Sequence, residues 1–404
     1  MKILQVNNFH FPRGGSDRYF LELTQLLRDS GHDARTFSTM HELNTLPGWF
    51  AGEPVAPTET EGARSVREVL RFFYSRESKR KMQDILVSFQ PEIVHLHIYY
   101  GQLTSSILTP IRDSGLPVVQ TLHEFKLVCP TQGLFAGGHF CDACQGRKYW
   151  HAVVKRCNRG SVGRSLVSMS EAYLSEASGA HTAVDRFIAV SRYQHGQLTR
   201  LGVPTSKLSL LYHFGIPTTE PPVSSGGYFL FVGRIATEKG IGVLLDACAE
   251  LGHGAPPVKV VGSGLELQHW RTYAEERGLS EHVQWLGYKT GTELDKLYAG
   301  CLALINPSVL NETFGLTCLE SLAHGRPVIA SKVGGIPEVV DDGVDGVLIE
   351  PNSSAALRIA MERLSTDRDV AMAMGRRGWA KVRHRFSKQK HYEELLRIYG
   401  EVMG

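Results

Sequence analysis

The sequence predicts an α/β protein built from two halves, each a doubly wound parallel sheet. Three observations carry this. Short runs rich in Val, Ile, Leu and Phe alternate with longer amphipathic stretches along the whole chain. The runs are continuously apolar, as strands buried on both faces must be. A stretch rich in Pro, Gly and Ser near the middle divides the alternation in two.

Strands are expected in the first half at 2–6, 34–38, 93–97, 118–122, 187–190 and 208–212. The amphipathic stretch Asp17–Arg28 reads as the first covering helix. These elements form a domain over 1–213. From His213-Phe214-Gly215-Ile216-Pro217 through Pro221-Pro222 to Ser224-Ser225-Gly226-Gly227 the composition changes, and 214–227 reads as a linker. The second half repeats the pattern with strands at 228–232, 258–261, 283–286, 302–305, 328–330 and 347–349. Gly240–Leu251 and Leu265–Arg277 are helical there, in a domain over 228–385. In such sheets ligands bind outside the carboxyl ends of the strands, so each half is expected to offer one wall of a shared cleft.

Composition narrows the class. The 404 residues are 42% hydrophobic and 21% charged with a net charge of +3, which excludes a disordered tail, a collagen and a coiled coil. No global charge argues for nucleic acid, and no run approaches the ~18–20 apolar residues of a bilayer span. The start turns polar at Asn7-Asn8, too early for a secretory core, so a cytoplasmic, reducing compartment is expected. Cys248, Cys301 and Cys318 lie among apolar residues and read as buried packing.

Three segments could carry chemistry. Gly14 and Gly15, between strand 2–6 and a helix, let backbone approach a ligand and aim a helix N-terminus at an anion. An ordinary strand-to-helix turn reads the same way, and Gly262-Ser263-Gly264 reads first as such a turn. Arg234 and Lys239 flank the loop after strand 228–232, where a guanidinium and an ammonium could clamp a diphosphate or merely be solvated. Glu312 precedes a helix expected to start near Gly315–Leu316, and Glu320 lies within it. Carboxylates suit sugar hydroxyls because each accepts several hydrogen bonds, and the N–H groups of Phe314, Gly315 and Leu316 suit a phosphate.

These segments, in this order and with Ser331-Lys332-Val333-Gly334-Gly335-Ile336-Pro337-Glu338, resemble the retaining glycosyltransferases of family 4 over nearly the whole chain. The resemblance implies the GT-B fold, two Rossmann-like domains with a cleft between them, and a nucleotide-sugar donor, UDP- or GDP-linked. It assigns Arg234 and Lys239 to the donor diphosphate, Glu312 to the donor sugar, Glu320 to the ribose, and Gly14 and Gly15 to backbone closing over the phosphates. Gly287 and Tyr288 fall where main-chain groups meet the base, and His123 where a histidine faces the transferred sugar. Arg234, Lys239, Glu312 and His123 are thus the candidate catalytic residues, with no catalytic metal and no other catalytic cofactor. The acceptor is a saccharide or lipid-linked, as in cell-surface polysaccharide or glycoconjugate assembly. A GT-B epimerase or phosphorylase, or a non-catalytic donor-binding subunit, is the alternative. Residues 386–404 match a final helix that crosses back to the first domain. Where the family has an Asn-Gly turn this chain reads Tyr212-His213-Phe214-Gly215.

Two further features stand outside the donor segments. Cys129, Cys141, Cys144 and Cys157 are separated by 11, 2 and 12 residues within an insert over 129–165. Such a set suits structural zinc, with buried free thiols or disulfides as alternatives and His139 as a substitute ligand. From Arg64 to Lys81 seven basic residues face two acidic ones, broken by Leu70, Phe72, Phe73 and Tyr74. This reads either as a basic amphipathic helix resting on an anionic membrane, peripheral on its inner face, or as a solvated helix. Arg147, Lys148, Lys155, Arg156, Arg159 and Arg164 form a second group that could approach an anionic acceptor. Neither resembles a base-reading motif, so no nucleic acid partner is expected.

Overall fold

A computed structural model describes all residues except 45–46, 59–70 and 253. The chain forms two compact units: Met1–Leu211 with Tyr392–Gly404, and Tyr212–His391.

In the first unit the strands are β1 (Lys2–Val6), β2 (Asp33–Phe37), β3 (Ile93–Leu96) and β4 (Val118–Leu122). A two-stranded antiparallel hairpin follows, β5 (Phe135–Ala136) and β6 (His139–Phe140), then β7 (Arg186–Ala189) and β8 (Leu208–Leu210). The main sheet is parallel in the order β2-β1-β3-β4-β7-β8. Its order reverses between β1 and β3, where Val6 lies beside Leu96. Leu4, Val6, Val94, Leu96, Val118 and Phe187 build the core on this sheet. Helix α1 (Gly15–Asp29) turns Tyr19, Phe20, Leu23 and Leu27 inward at helical spacing. Expected strand 208–212 stops at Leu210; its neighbour β7 ends at Ala189, whose carbonyl takes its last bond from Leu211 N–H.

The basic segment does not form one helix. Residues 71–73 are helical, Tyr74 and Ser75 are not, and a new helix α2 (Arg76–Phe89) begins under a cap in which Ser75 Oγ accepts from Ser78 N–H at 3.1 Å. A single amphipathic helix through 81 is therefore broken by a local hydroxyl that satisfies the new helix start. Arg71 and Lys81 both pair with Glu77 at 2.8 and 3.3 Å, which takes them out of any uniform cationic face. Arg64 and Arg67 lie outside the described residues.

The insert holds the hairpin, α3 (His151–Val154) and the first turn of α4 (Val162–Ala177), which Ser161 caps.

The second unit contains β9 (Tyr228–Val232), β10 (Val258–Val261), β11 (Val283–Gly287), β12 (Cys301–Asn306), β13 (Val328–Ser331) and β14 (Gly346–Ile349). All are parallel, in the order β11-β10-β9-β12-β13-β14. This is the dinucleotide-binding order, reversing between β9 and β12. Helix α5 (Ile241–Leu251) buries Ile241, Leu244, Leu245 and Cys248 against Phe229, Phe231 and Val258. Helix α6 (Leu316–Ala323) follows β12, and the last helix, α7 (Lys388–Met403), belongs to the first unit from Tyr392 onward. Residues of the expected linker pack within the second unit: Thr218 N–H donates to Ala323 O and its carbonyl accepts from Trp379 Nε1, both at 3.0 Å. Cys248, Cys301 and Cys318 are buried.

Candidate active site

The strand order of the second unit opens a crevice at the carboxyl ends of β9 and β12, and the sequence places its charged motifs on those two loops. After β9 come Gly233, Arg234 and the turn that carries Lys239. After β12 comes the loop with Ser308 and Glu312, leading into α6. Gly240 is left-handed (φ +73°), and a Cβ there would lie 1.9 Å from the Pro307 carbonyl oxygen. Only glycine lets the two loops approach this closely. Behind Glu312, Gly334 (φ +57°) leaves no room for a Cβ against the Glu312 main chain, and Gly335 N–H donates to Glu312 O at 2.8 Å. Gly262-Ser263-Gly264 supports the Arg234 loop: Ile235 N–H donates to Ser263 O at 2.9 Å.

Lys239 Nζ donates to Glu312 Oε1, and Ser308 Oγ lies 2.7 Å from the same oxygen. Burial opposes ionisation of Glu312, but Lys239, Ser308 and Arg234 outweigh it and hold the carboxyl below the usual range. Arg234 is exposed and pairs with Glu238, whose carbonyl accepts from Val309 N–H at 3.0 Å. Glu320, within α6, accepts from the Tyr298 hydroxyl at 2.7 Å. Helix α6 starts at Leu316 after left-handed Gly315, with no side chain capping it. Its first N–H groups, with those of Phe314 and Gly315, form an anion-favouring end beside Glu312. Gly287 closes β11, and the exposed Tyr288 follows it. The structure thus gathers Arg234, Lys239, Glu312, Phe314, Gly315 and Leu316 on neighbouring loops, with Glu320 on the helix they introduce.

In the first unit, Gly14 is extended and exposed at the start of α1, and Gly15 opens the helix. Asp17, buried in the first turn, accepts from Asn7 Nδ2 at 2.8 Å. Burial pushes its pKa up to about 6, against the pull of Asn7 and Arg13.

His123 follows β4, and burial pushes it down to about 3, so the ring is neutral. Its Nε2 lies 3.1 Å from His97 Nδ1, and His97 Nε2 donates to Gln5 Oε1 at 2.8 Å. The Gln5 amide donates in turn to Tyr399 on α7 at 3.3 Å, and that hydroxyl lies 2.7 Å from His95 Nδ1. The rings of His95, His97 and His123 stack in sequence at 4.4 and 5.4 Å. Because an amide oxygen only accepts, His97 carries its proton on Nε2, and a neutral His97 then takes a proton bond from His123 Nε2. Sequence reasoning missed Gln5, His97 and Tyr399. The available signal was His-x-His at 95–97, two same-face histidines in an otherwise apolar strand.

Cys129, Cys141, Cys144 and Cys157 line one pocket as free thiols, with Leu134, Ala152 and Leu201. Burial and the nearby Cys129, Cys157 and Cys141 push the Cys144 thiol up to about 12. Among the described residues no three His, Cys, Asp or Glu side chains are grouped as metal ligands. No helix among them is long and apolar enough to cross a membrane.

With this geometry in place, comparison with known proteins is decisive for the family. The model named Glycosyltransferase Family 4 matches residues 13–215, and that named Glycosyl transferases group 1 matches residues 219–381. The chain belongs to glycosyltransferase family 4. It is 36% identical over 181 residues to a D-inositol 3-phosphate glycosyltransferase of Corynebacterium jeikeium, covering 43% of each chain. An uncharacterized glycosyltransferase of Methanocaldococcus jannaschii is 29% identical over 225 residues, 55% of this chain and 61% of that one. The chain spans about half the length of the curated relatives it first matches. Among solved structures, sucrose-phosphate synthase from Thermosynechococcus elongatus superposes with a TM-score of 0.72 at 18% identity, covering 99% of this chain and 98% of that one. Anabaena HepE in complex with UDP and glucose gives 0.69 at 18% identity, covering 99% of both. These likenesses show the fold, GT-B with its two Rossmann-like sheets.

Proposed function

We propose that this family 4 glycosyltransferase moves a sugar from a UDP- or GDP-linked donor to a saccharide or lipid-linked acceptor, retaining the anomeric configuration without a catalytic metal. The observation that carries the reading is the Lys239–Glu312 pair, with Arg234 nearby, on the two loops flanking the β9/β12 reversal. There Arg234 and Lys239 neutralise the donor diphosphate and the charge that grows on it as the sugar departs. The N–H groups at the start of α6 add a fixed positive end, which is the work a divalent cation does elsewhere. Glu312, kept ionised, accepts from donor-sugar hydroxyls, and Glu320 from the ribose; Gly287 and Tyr288 meet the base. From the first unit the reading carries over Gly14 and Gly15 as phosphate-facing backbone. His123 orients the transferred sugar, its ring held in place through Nε2 by His97. The departing phosphate assists deprotonation of the acceptor, giving front-face substitution.

Purified protein incubated with UDP- and GDP-sugars and candidate acceptors tests this, with the product anomer read by NMR. The relatives named for D-inositol 3-phosphate put a phosphorylated cyclitol among the acceptors to try. Retained configuration supports the reading. Inversion, donor interconversion without acceptor, or phosphate-dependent cleavage contradicts it.

For the insert we propose that Cys129, Cys141, Cys144 and Cys157 take structural zinc, their thiolates supplying the four soft donors such a site uses. Of the eight described non-glycine residues with left-handed backbone, five (Gln132, Leu134, Arg147, Arg156, Arg159) fall between 132 and 159. Strain so concentrated calls for a local restraint, and a metal drawing the four sulfurs together would supply one.

A further inference from the structure

Helix α4 sits on the first unit with its polarity reversed. Its buried residues include Ser165, Glu171 and Ser175, while Val162, Leu166, Val167 and Tyr173 face outward. Positions 162, 166 and 173 share one face at helical spacing. The inward polar groups are satisfied. Ser165 Oγ accepts from Asn158 N–H at 3.0 Å, Glu171 pairs with Lys126, and Ser175 meets the Tyr99 hydroxyl. The helix is thus anchored largely through its polar side, with Ala172 buried and Tyr173 edge-on to Tyr149, and it leaves Val162 and Leu166 half exposed. Beside it α3 packs against α4 and adds an exposed pair one turn apart, Trp150 and Val154.

The exposures are large for such side chains: 68% for Val154, 49% for Val162 and Leu166, and 48% for Trp150. Scattered apolar residues need no explanation, but two adjacent helices that both expose them mark an interaction surface. Charge identifies the partner. No acidic residue occurs between Ala143 and Ser170, and Lys148, Lys155, Arg156, Arg159 and Arg164 are all exposed in the same stretch of chain as the apolar residues. Exposed apolar side chains interspersed with cations complement an anionic lipid surface, where the first enter the acyl boundary and the second meet headgroups. A nucleic acid would have no use for the exposed Val and Leu.

We propose that α3 and α4 form the face by which this protein docks on anionic membranes. The proposal goes beyond the transferase reading and stands without it. It also moves the lipid contact away from the broken basic segment near residue 76.

The test is co-sedimentation of the full chain with phosphatidylcholine vesicles, with and without phosphatidylglycerol, at low and high salt. Wild type is expected to bind the anionic vesicles and to leave them at high salt. Lys155→Glu with Arg156→Glu should weaken binding about 25-fold or more, since each cation near such a surface strengthens association about fivefold. Val162→Ser with Leu166→Ser should weaken it about tenfold or more. Both pairs replace exposed side chains, and unchanged thermal melting confirms that each variant is folded. Failure of wild type to bind, wild-type binding by both variants, or loss instead with Arg76→Glu, Lys79→Glu and Arg80→Glu overturns the proposal. So does self-association of the chain, by light scattering, that the Val162/Leu166 substitutions abolish without any vesicle binding.

Discussion

Asp17→Asn is expected to stabilise the first unit at neutral pH and to leave it unchanged in mild acid. Asp17 is buried in the first turn of α1, and its folded pKa of about 6 stands above the ordinary value of 3.8. The folded chain therefore holds this proton where the unfolded chain has released it. Stability falls as pH rises from about 4 to about 6, and the full penalty is present above that window. A gap of about 2 units corresponds to about 3 kcal/mol. Asparagine removes the buried charge and keeps an oxygen for Asn7 Nδ2, the donor that now reaches Asp17 Oδ1 at 2.8 Å. For a domain of roughly this size, about 3 kcal/mol is a rise in Tm of about 6–12 °C. The assay is thermal unfolding of the full chain between pH 4 and 8. Hydrogen exchange of the β1–α1 peptides assigns the change to this unit. Variant and wild type should coincide near pH 4 and diverge by pH 7. Parallel curves at every pH would refute the assignment of a raised Asp17.

Three further outcomes are expected. Glu312→Gln should lower kcat/KM by about 10- to 150-fold, the worth of one charge-assisted hydrogen bond, and full activity in a steady-state assay would contradict the role given to the carboxylate. The same substitution costs stability at neutral pH by breaking the Lys239 pair; because the Glu312 pKa is depressed, that difference is lost as pH falls below about 4.5 in urea unfolding. His97→Leu should reduce kcat while leaving nucleotide affinity within about twofold, because it removes the acceptor for His123 within the first unit, whereas the diphosphate is assigned to the loops of the second; a loss confined to nucleotide binding by calorimetry would argue otherwise. Elemental analysis should find about one zinc per chain, lost in Cys141→Ser with Cys144→Ser, and metal-free protein purified without chelator would dismiss the site.

Much of the fold is local information and was legible as such. Most strands of both main sheets are short, largely apolar runs, β2 with its Asp33, Arg35 and Thr36 being the exception, and the helix after Gly315 begins where glycine and the preceding loop demand. The donor loops were legible for a related reason: once β9 and β12 are parallel neighbours, topology alone carries Arg234, Lys239 and Glu312 to one end of the sheet. What could not be read depends on distance along the chain. Gln5 meets Tyr399 across 394 positions, and no periodicity in β1 or α7 announces that contact. The orientation of α4 depends on partners far along the chain, since Lys126 and Tyr99 recruit its polar side. The break at Ser75 hangs on one hydroxyl, a choice that composition over 64–81 does not register.

The central claim is that the loops after β9 and β12 hold a nucleotide-sugar diphosphate. Calorimetric titration of UDP, GDP and ADP into wild type, Arg234→Ala and Lys239→Ala tests it most directly. The account predicts saturable binding of one nucleotide by wild type, weakened about 10- to 150-fold by each substitution, as expected for a lost bond to a charged phosphate. Binding of equal strength in all three proteins, or binding of none of these nucleotides by wild type, would contradict it.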